Sequence, residues 1–336
     1  AFSLSGVDGA SPPASEGTAG AVTFDSSGNI SGGLLDDNDG GTVNSVSISA
    51  AGAALSSPVN GRGTVAITTS GSLNVTRNFV YYVVDANHLK LIEADAFPIL
   101  AGDAFRQSTA AISGSFAFTM SGTSSNGDGA FASGAIMNTD GAGNILNTSV
   151  VDVDDGGTVT APAGASLTGT YAVTGGRGTM TLNTTVETLS VVFYPSTAGL
   201  LMLDINPTLV ASGTAVPQSG GPFSNASFSN GFGLNLSGVT NLNTNVSASE
   251  IDAIAQFTAN NGSITGAMDF NNSGQLLTSL TLTGNYSMSA NGRATATLSP
   301  SSLGTFNVIF YAASGTRVLF IETDPSQVSA GLFAAQ

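Results

Sequence analysis

An internal repeat constrains this chain more than any other feature of its sequence. The segment that begins at Phe2 (F-S-L-S-G) returns in similar form at Phe118 and at Leu234, a spacing of about 116 residues. Four more landmarks follow in the same order each time: a Gly-Arg turn, an aromatic strand, an acidic residue behind two apolar ones, and a glycine five residues before a glutamine. Such recurrence predicts tandem copies of one unit. We expect three domains, at 1–107, 108–218 and 219–336, with 219–230 as a linker-like stretch.

Within each copy the apolar residues alternate with polar or small ones. Val65 and Ile67 alternate with Thr64 and Ala66, which is the period of a strand with one buried face. Turn sequences such as D-S-S-G-N at Asp25 recur at short intervals and join neighbouring strands as hairpins. We predict an all-β chain of three tandem antiparallel meander domains with seven or eight strands each. Periodicity leaves open whether each is a β-barrel or a β-sandwich, because both bury alternate residues.

The charge balance is strongly acidic, with 22 Asp and Glu against 7 Lys and Arg and a net charge of −15. Nucleic acids and anionic membrane surfaces require clustered Lys and Arg, so we expect neither as a partner. No apolar run approaches the ~18 residues of a membrane-spanning helix, and we expect no membrane insertion. The chain has no cysteine and only 9% charged residues, a composition typical of bacterial surface proteins. We therefore expect an extracellular or cell-surface location.

The order of the motifs resembles a known kind of repeat. F-x-L-S-G, a D-x-x-G-N hairpin, L-T-G-x-Y ending at Tyr171 and Tyr286, G-R-G-T, F-x-Y and a closing G-x-x-x-x-Q look like tandem repeats in predicted secreted proteins of acidobacteria. The resemblance covers the whole chain. The first copy departs from it by placing Leu55 near the tyrosine position, and the third by Ala294 in the Gly-Arg turn. The resemblance implies secretion and repetition, and it carries no assigned activity.

Each Gly-Arg turn is followed about 30 residues later by an acidic residue. A charge that recurs at the same place beside the core strands favours one arginine–carboxylate pair per domain, which ties the hairpin to a later strand. The predicted pairs are Arg62 with Glu93, Arg177 with Asp204, and Arg293 with Glu322. Their expected role is structural, since no nucleophile or base recurs with them.

Two acidic segments are candidates for a calcium site. They concentrate carboxylates in what look like flexible turns, and calcium prefers such oxygen ligands. The residues are Asp36, Asp37 and Asp39 in the first copy and Asp152, Asp154 and Asp155 in the second. The spacing does not match an EF-hand, and the third copy has D-F-N-N from Asp269 instead. Solvated acidic turns are the alternative interpretation, and otherwise we expect no cofactor.

Sequence patterns of catalysis are missing. His88 is the only histidine, so neither a histidine-based triad nor a two-histidine metal site can be assembled. The sequence has no G-x-S-x-G elbow, P-loop or dinucleotide fingerprint. Tryptophan is absent and most of the Phe and Tyr fall at periodic core positions, which weakens the case for a surface glycan as ligand. We expect a protein that is not an enzyme.

The first copy begins inside its own first strand, because the equivalents of Phe116 and Phe232 would precede Ala1. One interpretation is that the chain is an excerpt from a longer array of repeats. The other is that a strand from a neighbouring molecule completes the incomplete one, which predicts a polymerisation edge at Ala1, Phe2 and Leu4. The function expected from these features is a structural subunit of a homopolymeric cell-surface fibre, joined head to tail by donor-strand complementation. A surface adhesin or carbohydrate-binding repeat protein is the alternative.

Overall fold

The computed structural model describes residues 1–50, 55–124, 129–242 and 248–336. Its regular structure consists of 24 strands in three sheets of eight strands. Within these residues the only helical element is a 3-10 segment at Asn225–Ser227. The prediction of an all-β chain with three tandem antiparallel meander sheets is therefore confirmed, and each sheet has the larger of the two predicted strand numbers.

The first sheet lies within the first copy and is not closed. Its strands are β1 (Phe2–Val7), β2 (Ser15–Phe24), β3 (Ile30–Asp39), β4 (Thr42–Ile48), β5 (Arg62–Thr68), β6 (Thr76–Asp85), β7 (His88–Glu93) and β8 (Ile99–Phe105). Their order is β4-β3-β2-β1-β8-β7-β6-β5. The ends of the two outer strands, β4 and β5, are joined by two backbone hydrogen bonds. Ser49 N donates to Thr68 O, and Ser70 N donates to Ser47 O.

The second and third sheets are closed barrels. The second contains β9 (Ser113–Ser124), β10 (Gly129–Asp140), β11 (Asn144–Asp155), β12 (Thr158–Thr174), β13 (Arg177–Asn183), β14 (Thr188–Ser196), β15 (Gly199–Asp204) and β16 (Leu209–Pro217). The third contains β17 (Gly231–Thr240), β18 (Ser249–Asn260), β19 (Ser263–Asn272), β20 (Gln275–Met288), β21 (Arg293–Pro300), β22 (Phe306–Ser314), β23 (Arg317–Glu322) and β24 (Gln327–Ala335). These two copies are thus barrels and not sandwiches.

The fourth strand of the third copy is long enough to close its barrel. β20 pairs with β19 from Gln275 to Asn285 and with β21 from Leu282 to Met288, so one strand serves both neighbours. β4 in the first copy has 7 residues against 14 in β20. In the first sheet β4 and β5 form no such ladder.

Local sequence accounts for the hairpins. The side chain of Asp25 accepts hydrogen bonds from the backbone N–H groups of Ser27 and Asn29, and Gly28 has a φ of +81°. Asp140 binds the corresponding N–H groups in the hairpin between β10 and β11. An aspartate that caps the turn and a glycine in the left-handed region are what the D-x-x-G-N motif supplies.

By contact density the chain divides into two compact units. The first comprises Ala1–Ala111, Gly169–Leu182 and Thr188–Thr214, and the second comprises Ile112–Thr168, Asn183–Glu187 and Ala215–Gln336. The first unit contains the first sheet with β14 and β15, and the second contains the third barrel with β9, β10 and β11. The three predicted domain boundaries stay a prediction.

Candidate functional site

A buried cluster of an aspartate, an arginine and a tyrosine lies in the second compact unit. Arg293 begins β21 and faces Tyr311 of β22 in the strand register. The guanidinium donates through Nε and Nη2 to Asp152 Oδ2 and Oδ1 at 2.8 and 2.6 Å. The hydroxyl of Tyr311 donates to Asp152 Oδ2 at 2.7 Å. This two-point geometry is the strong form of an arginine–carboxylate pair, and we call the arrangement the Asp-Arg-Tyr cluster.

The first compact unit contains the same cluster one copy earlier. Arg177 Nε and Nη2 donate to Asp36 Oδ2 and Oδ1, both at 2.7 Å, and Tyr194 Oη donates to Asp36 Oδ2 at 2.5 Å. The arginine and tyrosine come from the second copy, and the aspartate comes from β3 of the first. In each cluster the aspartate therefore belongs to the copy that precedes the arginine.

Small residues allow the tyrosine ring to approach the aspartate's sheet. Asp152 lies opposite Gly134 across the strand pair, and Asp36 lies opposite Ala19. A Cβ added to Gly134 would stand 2.1 Å from the Tyr311 ring, which leaves room for no side chain there. Ala19 packs against Val192, Tyr194 and Leu203. Both clusters thus combine an ion pair with close apolar packing.

Burial of the tyrosines and hydrogen bonding of Arg177 shift the pKa values of these side chains. Desolvation raises the pKa of Tyr311 well above its usual value, and the charge of Asp152 raises it further. The pKa of Tyr194 is raised for the same two reasons, with Asp36 as the charge. A hydrogen bond from Arg177 to Asp36 raises the pKa of that guanidinium. The tyrosines therefore remain neutral donors and the arginines remain charged at physiological pH.

The predicted ion pairs within each copy are wrong. Arg293 faces Tyr311 in the register of β21 and β22, whereas Glu322 faces Val308, three residues further along β22. The same offset separates Arg62, opposite Tyr82, from Glu93, opposite Phe79. Arg177 likewise binds Asp36 instead of Asp204. The recurrence of the arginines was informative, but their partners lie in the preceding copy.

The three acids named in those pairs are buried at the ends of equivalent strands. Glu93, Asp204 and Glu322 end β7, β15 and β23. Asp204 Oδ1 and Glu322 Oε1 accept backbone N–H groups two residues ahead, at 2.6 and 2.7 Å. Desolvation raises the pKa of Glu93 to about 7 and that of Glu322 to about 10. Burial therefore favours the protonated form of both glutamates.

The acidic segments lie in strands and not in flexible turns, which corrects the calcium prediction. Asp36, Asp37 and Asp39 belong to β3, and Asp152, Asp154 and Asp155 belong to β11. Successive strand residues point to opposite faces, so the carboxylates of each run do not converge on one point. Among the described residues no group of three or more His, Cys, Asp or Glu could hold a metal ion. Asp36 and Asp152 instead bind arginine.

A second buried charge network, which the sequence did not suggest, lies inside the first sheet. Arg77 donates to Glu16 Oε1 at 2.5 Å and lies 3.2 Å from Asp37 Oδ1, which also accepts from Thr18 Oγ1. Desolvation raises the pKa of Glu16 to about 8, although Arg77 opposes that shift. At the equivalent positions the other copies have apolar residues, among them Phe131, Val153, Leu189, Ile251, Phe270 and Phe306. A position-by-position comparison of the copies would have found this network.

The prediction of a polymerisation edge at Ala1, Phe2 and Leu4 is wrong. β1 pairs with β2 from Phe2 to Val7, and with β8 over the same residues. The amino group of Ala1 donates to Phe105 O at 2.8 Å. Strands paired on both sides offer no free backbone groups, so these three residues cannot receive another strand.

In the second and third copies, one surface of the sheet is covered by the preceding copy. The equivalent surface of the first copy is exposed. Tyr194 and Leu203 are 0% exposed, whereas the equivalent Tyr82 and Ile92 are 49% and 47% exposed. Arg62, equivalent to Arg177, is exposed as well, and it forms no ion pair within the described residues. We call the residues Arg62, Tyr82 and Ile92 the uncovered face.

The third copy carries the aspartate of a further cluster, without an arginine and a tyrosine bound to it among the described residues. Asp269 lies opposite Ile254 in the register of β18 and β19, as Asp152 lies opposite Gly134. It is half-buried and accepts a hydrogen bond from Ser279 N at 2.6 Å. None of the described arginines pairs with it. Ile254 is 58% exposed and is larger than the Ala or Gly at the other two sites.

A groove of about 620 Å³ in the second unit runs beside the Asp-Arg-Tyr cluster. Its wall includes Asp152, Asn285, Thr295, Asn307 and Asp324. The wall thus presents amide, hydroxyl and carboxylate groups, but the Tyr286 ring in the groove is itself buried. The groove therefore lacks the exposed ring on which a sugar stacks.

Comparisons with known proteins add little to this geometry. No protein-family model matches the chain, and no curated protein matches it. Among solved structures, a tryptophan-to-alanine mutant of the vaccine antigen transferrin-binding protein B from Haemophilus parasuis is similar over 96% of this chain at 9% identity, with a TM-score of 0.27. The chain spans 66% of that protein.

A protein of unknown function from the DUF3598 family of Nostoc punctiforme is similar over 66% of this chain and 94% of its own, at 9% identity and a TM-score of 0.19. Both scores are too low to carry an argument about function. Within the described residues no helix is both long and apolar enough to cross a bilayer.

Proposed function

We propose that this protein is a non-enzymatic structural subunit of an extracellular or cell-surface assembly, built by head-to-tail contact between copies of itself. The observation that carries the proposal is the uncovered face of the first copy. Two of the three equivalent faces are covered by a preceding copy through an Asp-Arg-Tyr cluster. The remaining face, on the first copy, presents Arg62 and Tyr82 to solvent. A repeat of the same type is the partner that fits this face.

The third copy of a second molecule supplies that partner. Asp269 stands at the aspartate position, and Glu250 and Asp252 are exposed on the neighbouring strand β18. Their negative charge complements that of Arg62 on the first copy, where Lys90 is already paired with Asp103 at 2.7 Å. When two molecules meet through two different surfaces, one copy of each surface stays free in the pair. Such a contact therefore propagates into a filament or closes as a ring. The acidic, cysteine-free composition supports a location outside the cell.

Charge reversal tests this contact. We expect the wild-type protein to form concentration-dependent polymers in negative-stain microscopy, and Arg62→Glu to abolish them, because the introduced carboxylate would face that of Asp269. Asp269→Arg alone should have the same effect, and the Arg62→Glu/Asp269→Arg double variant should restore assembly. Ile254→Ala should strengthen assembly, since the smaller side chain lets the Tyr82 ring approach as in the other clusters. Monodisperse wild-type particles at all concentrations would contradict the proposal.

A glycan-binding adhesin is the second candidate, and one observation favours it. The exposed aromatic side chains of the described residues all lie in the first copy: Phe24, Tyr82 and Phe97, at 43%, 49% and 57% exposure. Exposed rings are the surface on which sugars stack. If this candidate is correct, a glycan array gives hits that Phe97→Ala reduces at least tenfold. An array without hits would remove it.

A further inference from the structure

One buried carboxamide ties the first copy to the second. Asn38 Nδ2 donates to three backbone carbonyl groups around the turn between β15 and β16, to Asp204 O at 2.9 Å, Asn206 O at 3.3 Å and Leu209 O at 2.9 Å. Its Oδ1 accepts from Gly41 N at 3.0 Å. Both polar atoms of this side chain are satisfied, and the turn of the second copy is thereby fastened to β3 of the first.

The second copy meets the third with the same geometry but a different residue. Asp154 follows Asp152 by two residues in β11, as Asn38 follows Asp36 in β3. The hairpins that follow these strands contain equivalent backbone hydrogen bonds, Gly40 N to Ser15 O and Gly156 N to Ala130 O. Asp152 and Asp36 also bind equivalent arginines. Asp154 therefore occupies the place of Asn38.

The turn between β23 and β24 has the form of the turn between β15 and β16. In both turns an acidic side chain accepts the N–H two residues ahead, and a backbone N–H three residues further on donates back: Asn206 N to Asp204 Oδ1, Leu209 N to Asn206 O, Asp324 N to Glu322 Oε1, and Gln327 N to Asp324 O. By this equivalence the carbonyl groups of Glu322, Asp324 and Gln327 face Asp154.

An ionised Asp154 cannot make the contact that Asn38 makes. A carboxylate only accepts hydrogen bonds, and so do the carbonyl groups in front of it. Asp154 is 0% exposed, and neither of its oxygens has a partner with hydrogen-bond geometry. A buried charge without a partner is costly, whereas a protonated carboxyl has an O–H to donate.

The surroundings of Asp154 favour the proton. Desolvation raises its pKa from 3.8 to about 7, and the charges of Asp155 and Asp324 add to the rise. The backbone N–H of Gly157 opposes the rise only in part. The carboxyl group is therefore neutral at mildly acidic pH and ionised at mildly alkaline pH.

The other elements packed against Asp154 bring no free charge. β10 places Ala132 opposite it, and β12 and β24 contain no charged residue. Glu322, at the start of the turn, has a pKa of about 10 and stays neutral over this range. Asp152 is bound by Arg293. Among the described residues, no ion pair holds Asp154 in its charged form.

We propose that Asp154 is a pH-sensitive latch between the second and third copies. Its protonated carboxyl donates a hydrogen bond to a carbonyl oxygen of the β23–β24 turn, and its ionised form releases that turn. Asn38 is the permanent version of the same latch, because a carboxamide keeps its N–H donors at every pH. The latch lies within one molecule, so it goes beyond the proposed function and does not rest on the head-to-tail contact.

The pH range of the latch follows from the two pKa values of Asp154. Between pH 3.8 and about 7 the fastened state holds a proton that the released state lacks. Release therefore becomes more favourable by about tenfold per pH unit across this range, and it levels off above pH 7. The turn is fastened most firmly at acidic pH.

Hydrogen exchange followed by mass spectrometry tests the latch in the whole chain. The quantity compared is protection, the ratio of the intrinsic exchange rate at a given pH to the measured rate. We expect protection of the β23–β24 turn in the wild type to fall by about tenfold or more from pH 5.5 to pH 8. The equivalent turn between β15 and β16, which Asn38 holds, should keep its protection over the same range.

Matched variants assign the effect to one proton. Asp154→Asn restores the carboxamide contact, so protection of the β23–β24 turn should no longer depend on pH. Asn38→Asp should transfer the pH dependence to the β15–β16 turn. Asp252→Asn, at an exposed position in β18 of the third copy, is the control and should follow the wild type.

Three results would overturn the latch. They are equal protection of the wild-type β23–β24 turn at both pH values, a pH dependence that survives Asp154→Asn, and recovery of protection at pH 8 in ~5 mM CaCl2. The calcium concentration lies above the ~0.1–1 mM range of extracellular sites, so such recovery would mean that a cation and not a proton neutralises Asp154.

The Arg62→Glu variant separates the latch from assembly. This variant removes the proposed head-to-tail contact and leaves Asp154 unchanged, so it should show the pH dependence of the wild type. A pH dependence that disappears in Arg62→Glu would attribute the effect to assembly and overturn the latch. If Arg62→Glu keeps the pH dependence and the wild type never assembles, the proposed function fails and the latch stands.

Discussion

Replacement of Asp152 by alanine is expected to lower the free energy of unfolding by about 3–5 kcal/mol. The reason is that Arg293 and Tyr311 would keep their buried positions without the carboxylate that binds both. Arg293 is 8% exposed and Tyr311 is 0% exposed, so both would lose the acceptor that satisfies them in a buried position. Urea unfolding followed by circular dichroism measures the change.

The third copy offers a matched control. Asp269→Ala removes the equivalent carboxylate, which is half-buried and accepts one backbone hydrogen bond, from Ser279. We expect a loss of about 1 kcal/mol or less there. The Asp152→Leu/Arg293→Met double variant should recover most of the stability lost in Asp152→Ala, because an apolar pair leaves no buried charge. Equal losses in Asp152→Ala and Asp269→Ala would show that the cluster adds no stability.

Replacement of Glu322 by glutamine is expected to stabilise the protein by about 2–4 kcal/mol at pH 7.5. Desolvation raises the pKa of this carboxyl from 4.5 to about 10 in the folded state, whereas the unfolded chain releases the proton near pH 4.5. Each unit of pKa difference corresponds to about 1.4 kcal/mol. Glutamine keeps the shape of the neutral acid and can still accept the N–H of Asp324.

The pH dependence has a definite sign. Between pH 4.5 and pH 10 the folded state holds a proton on Glu322 that the unfolded state lacks, so stability falls as the pH rises. Glu16, with a pKa near 8, and Glu93 and Asp154, near 7, contribute in the same direction over narrower ranges. We expect the wild type to be most stable at mildly acidic pH, with a thermal midpoint that drops toward pH 9.

Thermal unfolding from pH 4.5 to 9 for the wild type and Glu322→Gln checks this expectation. The two curves should converge near pH 4.5 and separate as the pH increases. Glu250→Gln, at an exposed position in β18 of the same copy, is the control and should follow the wild type throughout. A constant difference between wild type and Glu322→Gln at every pH would mean that proton binding by Glu322 is not the cause.

The three copies differ most in the residues that fill their interiors. The first sheet holds Arg77, Glu16 and Asp37 at positions that are apolar in the other two copies. The interior of the third barrel contains instead a group of phenylalanine rings, among them Phe228, Phe232, Phe257, Phe310, Phe320 and Phe333. The first copy thus combines a charged interior with a sheet that is not closed. The third copy combines an interior of packed aromatic rings with a closed barrel.

The sequence predicted the repetition, the strand period and the hairpin turns, because these depend on residues close together in the chain. Alternation at Val65 and Ile67 and the D-x-x-G-N turn at Asp25 both describe local geometry that the structure reproduces. The count of the strands followed from the same signals. Barrel closure did not, because it depends on whether the fourth and fifth strands of a copy pair with each other, as β20 and β21 do.

Which charges meet became visible only in the folded chain. The sequence showed that Arg62, Arg177 and Arg293 recur and are structural candidates, but distance along the chain suggested the wrong acids. Arg177 binds Asp36, 141 residues away, because the side chains of Arg177 and Tyr194 both reach β3 of the preceding copy. Pairing between repeats is a long-range property, and no periodicity within one repeat records it.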